Sequence, residues 1–357
     1  MRRASTGLSA VILNRGGRYP RYSLFEDLGK AGFDYVLSME SSFTRYDLEA
    51  LSGSFPFVRF ILLKEQLSPG EEINLAAAEL SSPLFFVLWN DLRILRGGGA
   101  ERMAERLLSG TLRQGPAGQG SKICGLPSGA AGIPDAGNQD NIQRYKRLCT
   151  VPLIQDGRAD SLPTLTAPAF FPEKKPGSSI KTIPYIPSRE RLPSLYPFDG
   201  IGIYDRERFI RLGGFDSSIK NFYWQLMDFG FRSSLWGEEI SSTQLIKLSY
   251  DGAVPQENST ADESYFRFFL KNLAPVFRGD YAHLPFRRFP GYLKRRKDLF
   301  AAWKEFFAAR AWVKTNSFRF CSDVRTIAER FASFEASESF DAPDNEAENP
   351  DANKEKM

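Results

Sequence analysis

Polar side chains that can bind ligands follow compact apolar runs in the N-terminal half of the chain. Asn14, Glu40 and Asp91 each come just after such a run. Their carboxylate and amide oxygens can accept hydrogen bonds and can bind hard divalent cations. If the runs are neighbouring parallel strands, the carboxyl ends of the strands bring the three side chains to one edge of a sheet. The sequence therefore predicts a polar ligand-binding edge.

Alternating strands and helices would position this edge. The predicted strands are Leu8–Leu13, Tyr35–Met39, Phe57–Leu63 and Leu84–Leu88. The predicted helices begin at a Ser23/Glu26 capping box, at Tyr46 and after Pro69-Gly70. As an alternative to ligand binding, Asp91 is a candidate cap for a helix over Leu92–Leu95. This alternation is typical of an α/β protein with a mainly parallel sheet.

A strand, a helix, a turn and a second helix are predicted in the second half of the chain. The apolar run Ile201–Tyr204 predicts the strand, and the helix over Asp205–Leu212 ends at Gly213 and Gly214. Two glycines supply positive φ angles at low steric cost, so they end the helix. Apolar residues at helical spacing over Tyr223–Leu235 predict the second helix. Val151–Ile154 predicts a further strand at an edge of the sheet.

The turn and the second helix carry two motifs. The turn reads Gly213-Gly214-Phe215-Asp216, and the helix contains Asp228-Phe229-Gly230-x-Arg232. With the order of the preceding elements, these motifs resemble the GT-A glycosyltransferases of the family-2 type. The resemblance covers about 8–95 and 196–272. It implies a GT-A-like, Rossmann-like α/β fold with a mixed, mainly parallel sheet flanked by helices, and transfer of a sugar from a nucleotide-diphosphate donor.

The catalytic positions depart from the pattern of that family. There, a Glu-Asp pair on the second helix supplies the catalytic base, whereas this sequence has Gln225 and Leu226. The acceptor hydroxyl must lose a proton as it attacks, and a leucine cannot accept it. Asp228 lies two residues further on, about 200° round the helix, so it does not simply replace the missing carboxylate. The candidate catalytic residues are Asp216 and Asp228, and the other candidates for the base are Asp199, Glu238 and Glu239.

The resemblance also implies donor-binding roles. Glu40 approximately matches the acidic residue that contacts the nucleoside, and the Asp-x-Asp motif that holds Mg²⁺ or Mn²⁺ is reduced to Trp89-Asn90-Asp91. One carboxylate and one amide can still bind the cation because the diphosphate supplies further ligands. The predicted donor-binding residues are Asn14, Glu40, Asn74, Asn90, Asp91 and Arg232, and the predicted metal ligands are Asp91 and His283. The alternative roles are structural: a strand end for Glu40, a turn or cap for Asn74, and ordinary packing for His283.

The sequence divides into three parts. A GT-A-like domain is predicted over 1–275, with a flexible insertion rich in Gly, Pro and Ser at 109–141. The proline-rich stretch 163–197 is predicted to be an extended loop over the sheet. A helical C-terminal extension over 276–333 and a disordered acidic tail over 334–357 complete the chain.

Basic and aromatic residues alternate in the extension, over 287–312. A helix of this composition can lie on an anionic membrane as a peripheral contact. The alternative is that the apolar stripe packs on the protein and the charges are solvated. The sequence leaves both interpretations open.

Composition narrows the function classes. The 357 residues carry a net charge of only +4 and no recognised nucleic-acid motif, so nucleic acid is not expected as a partner. His283 is the only histidine, which excludes a site built from several histidines. Three widely spaced cysteines fit a reducing compartment, and no run is long enough to span a bilayer. We therefore expect a cytoplasmic protein, with peripheral contact at the inner face of the membrane as an option.

Three functions remain open. The first is a glycosyltransferase that acts on a glycan or lipid-linked acceptor in cell-envelope polysaccharide synthesis. The second is a catalytically inactive family-2-like protein that binds a sugar or nucleotide, or that is the partner of an active transferase. The third is a nucleotidyltransferase on a related fold, which only Asn14–Arg18 supports, since no longer glycine-rich and basic loop follows the first strand.

Overall fold

A mixed sheet of eight strands lies at the centre of the computed structural model, which describes residues 6–15, 22–41, 47–96, 99–108, 147–170, 180–294, 296 and 298–340. The strands of the described chain are β1 (Leu8–Leu13), β2 (Val36–Ser41), β3 (Val58–Leu63), β4 (Leu84–Trp89), β5 (Leu92–Arg96), β6 (Arg147–Gln155), β7 (Leu165–Phe170), β8 (Ile180–Tyr185), β9 (Gly202–Asp205), β10 (Glu239–Tyr250), β11 (Val276–Phe277) and β12 (Ala282–His283). The large sheet has the order β3-β2-β1-β4-β9-β6-β10-β5. All of its strands run parallel except β9 and β5, which are antiparallel to their neighbours.

The helices flank this sheet and continue into a helical C-terminal part. They are α1 (Tyr22–Ala31), α2 (Leu48–Ser54), α3 (Pro69–Glu79), α4 (Ala100–Leu108), α5 (Arg206–Leu212), α6 (Phe222–Leu235), α7 (Glu263–Phe268), α8 (Phe289–Leu293), α9 (Leu299–Thr315) and α10 (Val324–Phe340). This arrangement confirms the predicted fold class. No helix among the described residues is both long enough and apolar enough to cross a membrane.

Local sequence explains where the helices near the site begin and end. Ser68 and Glu71 form a capping box at the start of α3, which continues through Pro69. Asp205 caps α5, and Gly213 ends it with a φ of 91°. A residue with a Cβ disfavours that conformation, so glycine is the suitable residue for this turn.

Helix α6 is the most buried helix of the fold, since every residue from Tyr223 to Leu235 is buried. Phe229 stacks on Phe215 of the Gly-Gly turn at a ring distance of 4.6 Å. A Cβ on Gly230 would lie 2.2 Å from the Leu195 carbonyl oxygen, so the backbone of the preceding loop packs directly on the helix. The apolar pattern that predicts this helix therefore reflects packing on all sides of it.

Several local expectations are wrong. Ser23 lies inside α1 and does not cap it, and Leu92–Leu95 belongs to strand β5 and not to a helix. Strand β6, which contains Val151–Ile154, lies between β9 and β10 and is not an edge strand. The proline-rich stretch 163–197 contains the antiparallel hairpin of β7 and β8, where a loop was expected. The insertion predicted at 109–141 lies outside the described residues.

The C-terminal extension packs in two places. Helices α8 and α9 form a second hydrophobic cluster with the segment that follows α7. This cluster contains Leu270, Tyr292 and Phe306. Helix α10 packs against β7 and α6, and its Ile327 and Phe331 join the main core. The helix continues to Phe340, past residue 334, where the sequence predicts a disordered tail. The predicted domain boundaries stay a proposal.

Candidate functional site

The strand register brings the predicted polar edge together. Leu13 pairs with Met39 on one side and with Trp89 on the other, so the residues that follow these three positions are neighbours. The amide of Asn14 donates to the Met39 carbonyl at 2.8 Å, and Asn90 accepts from the Arg15 backbone N–H at 3.2 Å. Both amides therefore hold the ends of the strands in place.

Arg15 is the centre of an ion network at this edge. Its Nε lies 2.9 Å from Asp91 Oδ2, and its Nη2 donates to Asp199 Oδ2. Asp199 Oδ2 also accepts from the Tyr250 hydroxyl at 2.8 Å, and the Arg15 guanidinium lies 4.0 Å above the Trp89 ring. One guanidinium thus forms ion pairs with two carboxylates from different loops.

The environment of Asp199 is unusual for a carboxylate. Burial raises the pKa of Asp199 to about 6, although Arg15 and Tyr250 favour its charged form. Its backbone has a φ of 56°, in the left-handed region that aspartate enters more readily than most residues. The Trp89 indole donates to its carbonyl oxygen at 2.9 Å. These contacts fix the carboxylate beside Arg15.

A cleft of about 460 Å³ opens beside this network. Its walls come from Arg15, the Phe198-Asp199 turn, the first half of α6 and the loop over 255–262. Leu226, which stands where the resemblance places the catalytic base, lines the cleft. The cleft therefore combines the strand-end network with the position that the family uses for catalysis.

Glu257 supplies a carboxylate to the same cleft. Its Oε2 accepts from the Tyr196 hydroxyl at 2.8 Å. The Glu257 side chain is exposed at the mouth of the cleft, but the protein atoms around its carboxylate partly desolvate it and raise its pKa to about 7, and the negative charge of Asp199 adds to this rise. Such a group can accept a proton near neutral pH. Glu257 lies in a polar loop outside every motif, so the sequence gives no signal that marks it as a site residue.

Glu40 lies at the predicted edge but deep in the protein. It is fully buried and accepts from the Ser38 hydroxyl at 2.6 Å. Burial raises the pKa of the nearby Glu72 to about 8, and the negative charge of Glu40 contributes. The charge of Glu40 in β2 therefore acts on Glu72 in the first turn of α3. Glu40 is not among the side chains that line the 460 Å³ cleft.

Asn74 joins α3 to the Gly-Gly turn. Its amide donates to the Phe215 carbonyl at 2.8 Å, and its Oδ1 accepts from the Phe215 N–H at 2.8 Å. Both ends of the amide are used within the protein. This matches the structural alternative for Asn74, and the predicted donor contact stays a prediction.

Asp216, Asp228 and Arg232 belong to a second ion network. Asp228 is fully buried and contacts Arg232 at 2.8 Å and Lys271 at 2.9 Å. Lys271 also contacts Asp216 at 2.8 Å, and Arg232 donates at 2.7 Å to the carbonyls of Leu212 and Gly214. Asp228 is buried and Asp216 is half-buried, but the cations beside them, Lys271 and Arg267 for Asp216 and Lys271 and Arg232 for Asp228, hold their pKa values below the usual range.

This second network does not line the cleft that holds Glu257. Arg232 supports the turn after α5, as expected for a structural role. The catalytic roles predicted for Asp216 and Asp228 stay predictions, and the contacts favour a structural role for both.

The predicted metal ligands do not form a metal site in the described structure. Among the described residues, no three His, Cys, Asp or Glu side chains come together as a metal site. Asp91 has Arg15 as its cation, and His283 lies in the β11–β12 hairpin, which packs against α9. These residues do not fit a divalent cation centre built by the protein.

Comparison with solved structures decides the fold. The crystal structure of GalNAc-T7 with UDP, GalNAc and Mn²⁺ matches with a TM-score of 0.50 and 11% identity. The match covers 92% of this chain and 57% of that chain. The chain has a GT-A fold. It spans little more than half of the length of GalNAc-T7.

Two further matches have lower scores. S. aureus TarS 1-349 in complex with UDP has a TM-score of 0.42 at 12% identity, covering 92% of this chain and 91% of that one. The mannosyltransferase PcManGT from Pyrobaculum calidifontis, in complex with GDP-Man and Mn²⁺, has a TM-score of 0.40 at 10% identity, covering 94% and 75%. No protein-family model and no curated protein sequence matches the chain. The argument for a GT-A fold therefore rests on the GalNAc-T7 match and on the strand order.

Proposed function

We propose that the protein transfers a sugar from a nucleoside diphosphate donor to an acceptor hydroxyl in the cleft beside Arg15 and Glu257. The observation that carries this proposal is the position of Glu257, whose carboxylate shares a cleft with Leu226, where the resemblance places the base. The GT-A fold and the UDP in GalNAc-T7 support the choice of donor. Fold likeness alone would not assign an activity.

Glu257 is the proposed general base. The acceptor hydroxyl attacks the anomeric carbon, its proton moves to Glu257, and the bond between the anomeric carbon and the diphosphate oxygen breaks. The electron pair of that bond leaves with the diphosphate. A base with a pKa of about 7 suits this step, since about half of it is ionised at neutral pH and it still binds a proton.

Arg15 is the proposed contact of the diphosphate. Its Nε and Nη2 are used by Asp91 and Asp199, which leaves the Nη1 group for a ligand in the cleft. Because two carboxylates already hold the guanidinium in place, Arg15 loses little conformational entropy when it binds an anion. Asp91 and Asp199 would then orient Arg15, and Asn14, Glu40 and Asn90 would shape the nucleoside side of the edge.

The Mg²⁺ or Mn²⁺ that the resemblance implies would have to compete with Arg15 for Asp91. Mn²⁺ is present in the GalNAc-T7 structure. In this chain Arg15 already forms ion pairs with both Asp91 and Asp199 at the place where the cation would bind, so we propose that donor binding does not depend on a divalent cation. Titration in EDTA and in Mn²⁺ separates the two cases.

The proposed acceptor is a glycan or a lipid-linked sugar, in cell-envelope synthesis at the cytoplasmic face of a membrane. Around the start of α9, the side chains of Leu299, Phe300 and Trp303 are 62%, 77% and 50% exposed. The basic side chains of Arg287 and Arg288 precede them. Exposed apolar and basic groups on one segment are typical of peripheral membrane contact. Binding to anionic but not to neutral vesicles would support this proposal.

A non-catalytic binding protein is the second candidate. Gln225 occupies a catalytic position, yet its Nε2 donates to Ile219 O at 2.7 Å and to Ser68 Oγ at 2.8 Å. The position thus serves the packing of α6. This observation favours a chain that has kept the fold and lost the reaction.

Donor hydrolysis tests the proposal without a known acceptor, because water can take the acceptor's place. We expect the wild type to release nucleoside diphosphate from at least one UDP- or GDP-sugar. Glu257→Gln should lower that rate by ~10²–10⁴-fold, the usual contribution of a general base. Glu329→Gln is the control, because Glu329 is exposed on α10. Nucleotide binding with no turnover would favour the second candidate, whereas equal measurable rates in wild type and Glu257→Gln would rule out Glu257 as the base.

A further inference from the structure

A second cleft, of about 450 Å³, lies where the C-terminal extension meets the core. It is bounded by the end of α5 and the Gly-Gly turn, by α6, by the segment after α7, and by the end of α9 with the turn that follows. We call it the basic pocket and define it by Arg211, Arg267, Arg319, Trp236 and Trp312. None of its residues lines the cleft that contains Glu257.

Positive charge dominates the basic pocket. Arg232 and Lys271 also line it, which gives five cations, whereas Asp216 is the only carboxylate among the lining residues. Asp216 is matched by Lys271 at 2.8 Å and by Arg267 Nε at 3.0 Å. Asp228 behind the wall is matched by Arg232 and Lys271. The carboxylates therefore do not neutralise the remaining guanidinium groups.

Arg211 and Arg319 have donors to spare. Arg319 donates one N–H to the Arg211 carbonyl at 2.7 Å and contacts no carboxylate within the described part of the chain. Arg211 approaches Glu238 and Glu207 only at 3.8 Å and 3.9 Å, and its side chain is 54% exposed. A guanidinium carries five N–H donors, so both side chains can bind an incoming anion.

Two tryptophans form an aromatic wall of the pocket. Trp236 and Trp312 stack with ring centroids 5.9 Å apart and an angle of 14° between the planes. Arg319 lies 4.9 Å from the Trp236 ring, and Lys271 lies 4.4 Å from the Trp312 ring. The Trp236 Nε1 is buried and has no hydrogen-bond acceptor among the described residues. A buried donor without an acceptor is costly, and a ligand oxygen would remove that cost.

We propose that the basic pocket binds a phosphate-bearing ligand, with the phosphate on Arg211, Arg267 and Arg319 and the organic part against the tryptophans. A guanidinium group can donate two parallel hydrogen bonds to two oxygens of one phosphate. The aromatic wall can pack against the apolar or planar part of such a molecule. Since Trp312 and Arg319 belong to the extension and the others to the core, the ligand joins the two parts. This proposal does not depend on the transferase reaction.

Titration with inorganic pyrophosphate, followed by tryptophan fluorescence and calorimetry, tests the pocket. We expect saturable binding that weakens as salt rises, because the contacts are ionic. Arg319→Gln and Arg211→Gln should each weaken binding by ~10-fold or more, as expected when a charge-assisted contact is lost. Arg325→Gln, whose side chain is 80% exposed on α10, is the charge-matched control and should bind like the wild type.

Two further arms separate the alternatives. Because Arg15 is itself proposed to contact a diphosphate, the pocket variants are also titrated in the Arg15→Gln background, where the other cleft has lost that contact. Saturable pyrophosphate binding should persist in Arg15→Gln and weaken when Arg319→Gln is added, whereas complete loss of binding in Arg15→Gln would place the ligand in the other cleft. Vesicles of phosphatidic acid against phosphatidylcholine show whether a lipid phosphate can reach the pocket. Non-saturable binding, or the same affinity in the wild type, Arg319→Gln and Arg211→Gln, would overturn the proposal. Arg211 is exposed, so its variant stays informative if Arg319→Gln does not fold.

Discussion

Replacing Asp228 by Asn separates a structural from a catalytic role for this residue. The carboxylate is fully buried and contacts Arg232 at 2.8 Å, Lys271 at 2.9 Å and the Asn272 amide at 2.8 Å. Breaking a buried ion pair by removing one partner costs ~3–5 kcal/mol. Arg232 and Lys271 keep other acceptors, so we expect a loss near the lower end, ~3 kcal/mol, in the free energy of unfolding.

Urea unfolding followed by circular dichroism measures this loss. Asp160→Asn is the matched control, because Asp160 is exposed, and it should unfold like the wild type. The pH dependence gives a second test. Because the folded-state pKa of Asp228 lies below the unfolded value of ~3.9, its contribution to stability is present above that value and is lost as the pH falls. Asp228→Asn should therefore show a weaker loss of stability in acid.

A loss of less than ~1 kcal/mol in Asp228→Asn would contradict this reasoning, because it would mean that the ion network is not holding the helix. Unchanged stability together with lost donor turnover would support the catalytic role that the sequence predicts for Asp228. Lost stability with retained turnover at low temperature would support the structural role.

Three other predictions concern the site and its supports. The rate of donor turnover should decrease as the pH falls below about 7, because Glu257 must be ionised to accept the proton and its pKa is raised to about 7. A rate that stays constant from pH 6 to 8 would rule out this base. Gly230→Ala should lower the free energy of unfolding by ~3 kcal/mol or more in thermal unfolding, because its Cβ would lie 2.2 Å from the Leu195 carbonyl oxygen. A change below ~1 kcal/mol would show that the loop around Leu195 moves away freely. Asn74→Ala should cost ~1–3 kcal/mol in urea unfolding, because it leaves the Phe215 N–H and carbonyl without partners, and an unchanged midpoint would mean that water replaces both bonds.

Local pattern predicts most of the elements around the site. The apolar runs before Asn14 and Glu40 are buried strands, and the two glycines after Leu212 do end a helix. These features depend on burial and backbone conformation, which composition over a few residues reveals. The prediction of a polar edge follows from parallel pairing alone.

The hairpin of β7 and β8 shows where this reasoning fails. Pro168 and Pro184 lie within the two strands, opposite Thr182 and Thr166. Proline removes a ladder donor, so its presence argues against a central strand. In a two-stranded hairpin the backbone nitrogen of each proline can point away from the partner strand, so no hydrogen bond between the strands is lost. The sequence does not reveal this arrangement.

The cleft itself depends on contacts between distant parts of the chain. Arg15 meets Asp199 across a separation of 184 residues, and Glu257 meets Tyr196 across 61 residues. No local spacing relates these pairs, and Glu257 lies outside every motif. The family pattern points to positions 225 and 226, while Glu257, one of the carboxylates that line the cleft, comes from a different loop.

Calorimetric titration with UDP, GDP and their sugars, in EDTA and in Mn²⁺, tests the central claim most directly. The account predicts that at least one nucleotide sugar binds in EDTA, that Arg15→Gln weakens this binding by ~10-fold or more, and that Glu257→Gln leaves it nearly unchanged. Failure of every nucleotide to bind, with and without Mn²⁺, would contradict a donor site in this cleft.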